Sequence, residues 1–383
     1  MMHIAYICTD PGIPVWGAKG ASIHVQEILR AFVKRGAQVT LLTPRAEGER
    51  PSDLAQVEVH PLPPAPKGEP THRARALLAA NDALTAALDD LQPDLVYERH
   101  ALMSYAAMEW AAQAGRPGVL EINAPLIAEQ AAHRQLELPH EADAAARRSM
   151  RAARLVCAVT EPVAQYARAI GGKDVIVVPN AVNPARFPAP PPRPDRPFTV
   201  GFLGSMKPWH GLPTLVQAFF QLKQAVPDAR LLIVGDGPER ARIEDEFAKS
   251  GLSGAIEITG LLPATAVPAA LARMDVGTAP YHAMADFYFS PLKIYEYMAA
   301  ALPVVTTRTG NLDQLVHDGK TGLVTPPGDA DALTRALAQL STDLPWAQAM
   351  GTAGRSHVLA HHTWDATVEH VLTRALGRNV RAA

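Results

Sequence analysis

The sequence predicts an α/β protein of two Rossmann-like domains, each a doubly wound parallel sheet, facing a central cleft. Three observations predict it. The 383 residues exceed one ordinary hydrophobic core. Short apolar runs alternate with amphipathic or Ala-rich segments along the whole chain, the pattern of strands joined by crossover helices. A single Pro-rich stretch, PAPPPRPDRP at 188–197, interrupts that alternation and reads as an extended linker.

The elements follow in order. HIAYICT at 3–9 reads as the first strand, because its apolar run is too short for a signal peptide or a membrane span and lacks a basic flank. QVTLLTP, DLVYER, GVLEIN, RLVCAVT and DVIVVPN supply the remaining strands before the linker. After it the alternation restarts with FTVGFLG, ARLLIVG, AIEITG, DVGTAP, PVVTT and GLVT. The last pattern, TWDATVEHVLTRAL at 363–376, is an amphipathic helix with no strand behind it. The domains are therefore expected at 1–182 and 198–362, with a linker over 183–197 and a C-terminal helix over 363–383 bracing the N-terminal domain. A ligand is expected at the carboxyl ends of the strands, in the cleft.

Composition narrows the function. A 48% hydrophobic and 19% charged chain of net charge −2, without a long basic block, gives no reason to expect a nucleic-acid partner. The short basic clusters at 71–78 and 373–383 leave room for weak peripheral contact with an anionic membrane. Cys8 and Cys157 each sit inside an apolar run, so neither a disulfide framework nor a Cys-based metal site is available, and a reduced, cytoplasmic location is expected.

Several motifs can be set aside. Neither PGIPVWGAKGAS nor GDGPER has the G-x-G-x-x-G spacing of a dinucleotide site. DGKTG at 318–322 ends like a P-loop, but the earlier glycine position is Gln314. Asp329 in PGDADALTRAL reads as a helix cap in preference to a metal ligand, and the 14 histidines contain no H-E-x-x-H pattern. No metal and no cofactor are expected.

Chemistry concentrates in DFYFSPLKIYEYMAAALPVV at 286–305. Pro291 suits the first position of a helix and Ser290 its N-cap, and strong helix formers run on to Pro303. A helix start of that kind offers free N–H groups and a positive dipole end to an anion such as a phosphate. Glu296 then lies roughly 5–6 Å further along the helix axis, at 1.5 Å per residue, which suits a ribose diol. Two more loops follow strands. GFLGSMKPWHG at 201–211 brings Lys207 and His210 beside glycines, where cations neutralise a diphosphate, and TGLLP at 259–263 can present backbone groups to a base.

Taken together the motifs resemble the family-4 glycosyltransferases, retaining hexosyltransferase-type enzymes of the two-domain GT-B fold. GAKGASIHVQEILRAFVKRGAQVTLLTP looks like that family's N-terminal Gly-rich loop and first helix, and VIVVPNAVNPARF like its interdomain crossing. GFLGSMKPWHGLPTLVQAF, LLIVGDGPER, SPLKIYEYMAAALPVV and DGKTGLVTPPGD look like successive parts of its donor domain. The resemblance implies that Glu296 holds the donor ribose, that Ser290, Pro291, Leu292 and Lys293 hold the diphosphate, and that Gly20 faces the leaving phosphates. Gly204, Ser205, His210 and Leu262 complete the implied donor site. The chain departs from the family at three places. Tyr288 stands where an acidic residue is usual, with Asp286 the nearby substitute for the sugar contact. Ser205 and His210 stand where Arg and Lys are usual, leaving Lys207 as the compensating cation. Asn123 stands where a His is often found.

The expected reaction is metal-independent transfer from a nucleoside-diphosphate sugar, a co-substrate and not a cofactor, to a small-molecule, glycan or lipid-linked acceptor. Retention needs no protein nucleophile if the leaving diphosphate is stabilised and takes the acceptor proton. Lys207, Asn123, Arg99 and Glu121 are the catalytic candidates, the last three at strand ends where they could orient sugar or acceptor. A nucleotide-sugar epimerase on the same fold, or a non-catalytic nucleotide-sugar binding protein, remains an alternative reading.

Overall fold

The computed structural model describes residues 1–133, 135–284 and 286–377; positions 378–383 of the basic tail lie outside the described residues. The chain packs as two compact units. The first comprises Met1–Pro179, Tyr288–Ser290 and the chain from Trp364 onward, and the second comprises Asn180–Phe287 and Pro291–Thr363.

In the first unit the elements run β1 (His3–Cys8), α1 (Gly20–Lys34), β2 (Gln38–Thr43), β3 (Glu58–Pro61), α2 (Pro70–Leu91), β4 (Leu95–Arg99), α3 (Ala106–Gln113), β5 (Gly118–Ile122), α4 (Leu126–His133), α5 (Pro139–Ala152), β6 (Leu155–Ala158), α6 (Glu161–Ala169) and β7 (Val175–Val177). Seven parallel strands lie in the order β3-β2-β1-β4-β5-β6-β7. Residues such as Ile4, Leu41, Val96, Leu120 and Val156 are fully buried, because helices cover both faces of the sheet. The order reverses between β1 and β4, where Cys8 pairs with Arg99 at the carboxyl ends.

Tyr288–Ser290 is held in this unit by Thr160, whose hydroxyl donates to the Tyr288 carbonyl at 3.0 Å, and by Glu129, which accepts from the Tyr288 hydroxyl at 2.9 Å.

The second unit runs β8 (Thr199–Leu203), α7 (Leu212–Ala225), β9 (Arg230–Val234), α8 (Arg240–Lys249), β10 (Ile256–Ile258), α9 (Val267–Leu271), β11 (Val276–Ala279), α10 (Leu292–Ala299), β12 (Val304–Thr307), α11 (Leu312–Leu315), β13 (Gly322–Thr325), α12 (Ala330–Thr342) and α13 (Leu344–His361). Its six parallel strands lie in the order β10-β9-β8-β11-β12-β13, reversing between β8 and β11. The Pro-rich residues belong to this unit. Arg193 and Arg196 grip the two oxygens of Asp275 at 2.7 and 2.8 Å, and the Thr199 N–H donates to the same carboxylate at 2.8 Å.

The chain then returns to the first unit as α14 (Trp364–Leu376), which lies on α1. Arg35 donates to the Asp365 carbonyl at 2.7 Å and pairs with Glu369 at 3.1 Å. Arg374 pairs with Asp174 at 2.9 Å. Among the described residues no helix is long and apolar enough to cross a membrane.

Candidate active site

In the second unit the site grows from the carboxyl ends of β8 and β11, where the strand order reverses and an α/β sheet leaves a crevice. α10 is fixed beneath them by Tyr297. Its hydroxyl accepts from the Leu203 N–H at 2.6 Å and donates to the Thr278 carbonyl at 3.2 Å. Its ring lies against Gly277, where an added Cβ would come within 2.4 Å, so only glycine lets the helix sit this close to the strand.

α10 begins one residue later than its sequence suggests. Leu292 is its first residue and Pro291 takes the cap position with φ −73° and ψ 110°, so Ser290 is not the N-cap. Proline has no N–H to lose there, and the first donors offered outward are those of Leu292 and Lys293.

Lys293 is only 7% exposed, and its Nζ has no hydrogen-bond partner among the described residues. It lies 4.1 Å from the ring centre of Phe202 and 5.4 Å from that of Tyr281. Gly204, with φ +132°, passes beside it, and a Cβ there would stand 3.1 Å from Nζ. Burial lowers the Lys293 pKa to about 7.

His210 differs from the cation expected of it. Burial, then the Lys293 ammonium, pushes its pKa down to about 3, so the imidazole is neutral. Its Nδ1 faces the Ser205 carbonyl, which requires Nδ1–H and makes Nε2 an acceptor. Lys207 is half-buried, 5.8 Å from the Trp209 ring centre, and its carbonyl accepts from the His210 N–H at 3.0 Å. The cationic groups in this loop and helix are therefore Lys207 and Lys293.

Glu296 is 14% exposed and pairs with Arg186 at 3.1 Å. Leu262 is half-buried, beside the exposed Leu261. Asp286 is exposed. Asp329 caps α12, accepting from the Ala332 N–H at 2.8 Å, as its sequence context indicates.

In the first unit Gly20 is exposed at the start of α1. Arg99, Glu121 and Asn123 come together at the ends of β4 and β5, around a carboxylate only 4% exposed. Glu121 Oε1 receives Arg99 at 2.9 Å, His24 at 2.9 Å and Asn123 at 2.5 Å, while Oε2 accepts from the Tyr97 hydroxyl at 2.7 Å. Burial alone would raise the Glu121 pKa, but His24, Arg99 and Asn123 overcome it and hold the group well below the carboxylate range. So enclosed, Glu121 has both carboxylate oxygens engaged, and its contacts hold Arg99 and Asn123 in place.

Sequence reasoning missed His24, Tyr97, Arg186 and the aromatic walls around Lys293. His24 looks like an ordinary polar position of an amphipathic helix, yet it is buried with its ring 4.7 Å from that of Trp364.

Residues 197–343 match the family profile described as Glycosyl transferases group 1, and residues 18–186 match that of Glycosyltransferase Family 4. The chain belongs to the family-4 glycosyltransferases. It is 34% identical over 184 residues to the GDP-mannose-dependent alpha-(1-6)-phosphatidylinositol monomannoside mannosyltransferase of Mycolicibacterium smegmatis, a match covering 44% of this chain and 45% of that protein. The match thus spans less than half the length of that relative. Sucrose-phosphate synthase from Thermosynechococcus elongatus superposes with a TM-score of 0.77 at 22% identity, covering 98% of this chain and 99% of that one. Anabaena HepE in complex with UDP-glucose superposes with a TM-score of 0.70 at 18% identity, covering 98% and 100%. With the two parallel sheets described above, these neighbours establish the GT-B fold.

Proposed function

We propose that this protein transfers a hexosyl group from a nucleoside-diphosphate sugar to an acceptor hydroxyl, with retention of anomeric configuration and without a metal. The observation that carries this reading is Lys293, whose buried Nζ stands among aromatic walls with no hydrogen-bond partner among the described residues, in the first turn of α10 and beside the Gly204 loop. A buried charge without a partner is costly, and a diphosphate supplies one. HepE holds UDP-glucose on the same fold, and the mannosyltransferase relative uses GDP-mannose, which supports a nucleotide-sugar donor here.

In this reading Lys293, Lys207 and the Leu292 and Lys293 N–H groups stabilise charge on the departing diphosphate. The bond from the sugar C1 to the β-phosphate oxygen breaks as the acceptor oxygen bonds to C1 on the same face. The acceptor proton passes to a phosphate oxygen, and the nucleoside diphosphate leaves. Glu296 binds the ribose, while Arg99 and Asn123 orient sugar or acceptor. Neutral His210 offers Nε2 as an acceptor to a hydroxyl. The exposed His72, Arg73 and Arg75 of α2 give weak electrostatic contact with an anionic membrane a place in the same proposal.

The test is a thermal-shift screen of UDP-, GDP- and ADP-sugars, followed by NMR of the anomeric product with each stabilising donor over an acceptor panel in a chelator. A product of retained configuration is expected. Conversion of donor to a new sugar nucleotide without acceptor would indicate an epimerase instead, and binding without turnover over the panel would indicate a binding protein.

A further inference from the structure

We infer that Arg186 is a positioning residue for nucleotide recognition, fixing the carboxylate of Glu296 in the orientation that reads the donor ribose. The inference rests on the ribose role given to Glu296 above. Arg186 Nη1 lies 3.1 Å from Glu296 Oε1, and both side chains are mostly buried, at 16% and 14% exposure. Its other terminal nitrogen donates to the Ala264 carbonyl at 3.2 Å, and the guanidinium stands 5.2 Å from the ring centre of Phe187. A planar fork held on three sides transmits its orientation to the carboxylate better than a flexible ammonium would.

The backbone carrying Arg186 is itself anchored. The Asn183 side chain accepts from the Ala185 N–H at 3.0 Å, capping a single 3-10 turn that the Arg186 N–H closes by donating to the Asn183 carbonyl at 3.1 Å. Phe187 is 1% exposed, and its carbonyl accepts from Arg355 at 2.8 Å. The same Arg355 donates to the carbonyl of Ala299, at the far end of α10. The segment is thus clamped to α10 at two points, through Arg186 to Glu296 and through Arg355 to the last turn. A carboxylate on an unclamped helix samples several rotamers, whereas a diol reader must hold one.

The test compares ribose and 2′-deoxyribose forms of whichever of GDP, UDP and ADP binds tightest, by calorimetry on the full chain. The parent should prefer the ribose form by about tenfold or more, the scale of one charge-assisted hydrogen bond. Glu296→Gln should reduce that preference to about threefold or less. Arg186→Gln should do the same while leaving affinity for the deoxy form within about twofold, which a merely structural residue would not do. Should Arg186→Gln fail to fold, Arg186→Lys serves, with a preference between those of the parent and Glu296→Gln. An Arg186 variant keeping the parent's full preference would overturn the inference while leaving the reading of Glu296 intact. A parent with no preference would overturn both.

Discussion

The Nζ atom of Lys293 lies 4.1 Å from the ring centre of Phe202 and has no hydrogen-bond partner among the described residues. Its pKa is depressed from 10.5 to about 7 in the fold, so its contribution to stability is present above 10.5 and is lost as pH falls through 7. At about 1.4 kcal/mol per tenfold in proton affinity, the cost at pH 6 has an upper bound of about 5 kcal/mol. Lys293→Met should therefore raise thermal stability at pH 6 by on the order of 2 kcal/mol or more, while removing nucleoside-diphosphate binding. In the parent, that binding should strengthen from pH 8 to pH 6 as the ammonium forms. Denaturation curves and calorimetry check both, and a destabilised variant that still binds would contradict the reading.

Glu121 and Asn123 separate by opposite responses. Glu121→Gln leaves Arg99 and His24 without their buried carboxylate and should cost about 3–5 kcal/mol of stability. Asn123→Ala removes one donor at the rim of the network, so it should change stability by about 1 kcal/mol or less while lowering transfer by roughly 10–100-fold. The folded pKa of Glu121 is depressed, so its stabilisation is present above the ordinary value of 4.5 and is lost in acid. Chemical denaturation paired with rate measurements distinguishes the two, and equal losses of stability would put Asn123 inside the structural network.

Glu98 carries the reverse pH dependence. It is fully buried, with Oε1 accepting from the Ser104 hydroxyl and Oε2 without a hydrogen-bond partner among the described residues, and burial raises its pKa to about 7. The folded value is above the ordinary 4.5, so the stabilisation is full below 4.5 and is lost as pH rises through 7. Glu98→Gln should match the parent near pH 4.5 and exceed it at pH 8 by up to about 3 kcal/mol. Parallel stability curves across that range would show that Glu98 ionises without penalty.

Ala301, in the turn after α10, has φ +56° without being glycine. Ala301→Gly relieves a left-handed backbone that costs a residue with a Cβ about 1 kcal/mol. The variant should be more stable by about that amount with an unchanged rate, and a lowered melting temperature would count against backbone strain at this turn.

Much of this was legible in the sequence, unevenly. Among the described residues thirteen strands form, and the sequence marked twelve; the missing one, Glu58–Pro61, is a four-residue edge strand ending in proline with no apolar run to announce it. The SPLKIYE stretch revealed a helix start and the Lys–Glu spacing because capping and breaker residues are local signals. It placed the helix one residue too early, since Pro291 is compatible with either the cap or the first turn. The charge states of His210 and Lys293 were not legible, because they depend on Phe202, Tyr281 and Gly204, which come from other strands and loops. His24 and Arg186 were hidden for the same reason. Their partners, Glu121 and Glu296, lie 97 and 110 positions away, beyond any periodicity.

The placement of α14 on α1 bears on how the protein is made. His24 meets Trp364, and Arg35 meets Asp365 and Glu369, only after every residue of the second unit has been synthesised. At about 5–20 residues per second, the ribosome takes roughly 10–40 s to translate that intervening unit. Through that interval the nascent first unit presents α1 uncovered, with the seat of an indole open to water. Chaperone engagement and premature termination should both act at this helix face, and a transcript truncated before Trp364 should yield a first unit that is prone to aggregate rather than a freestanding domain.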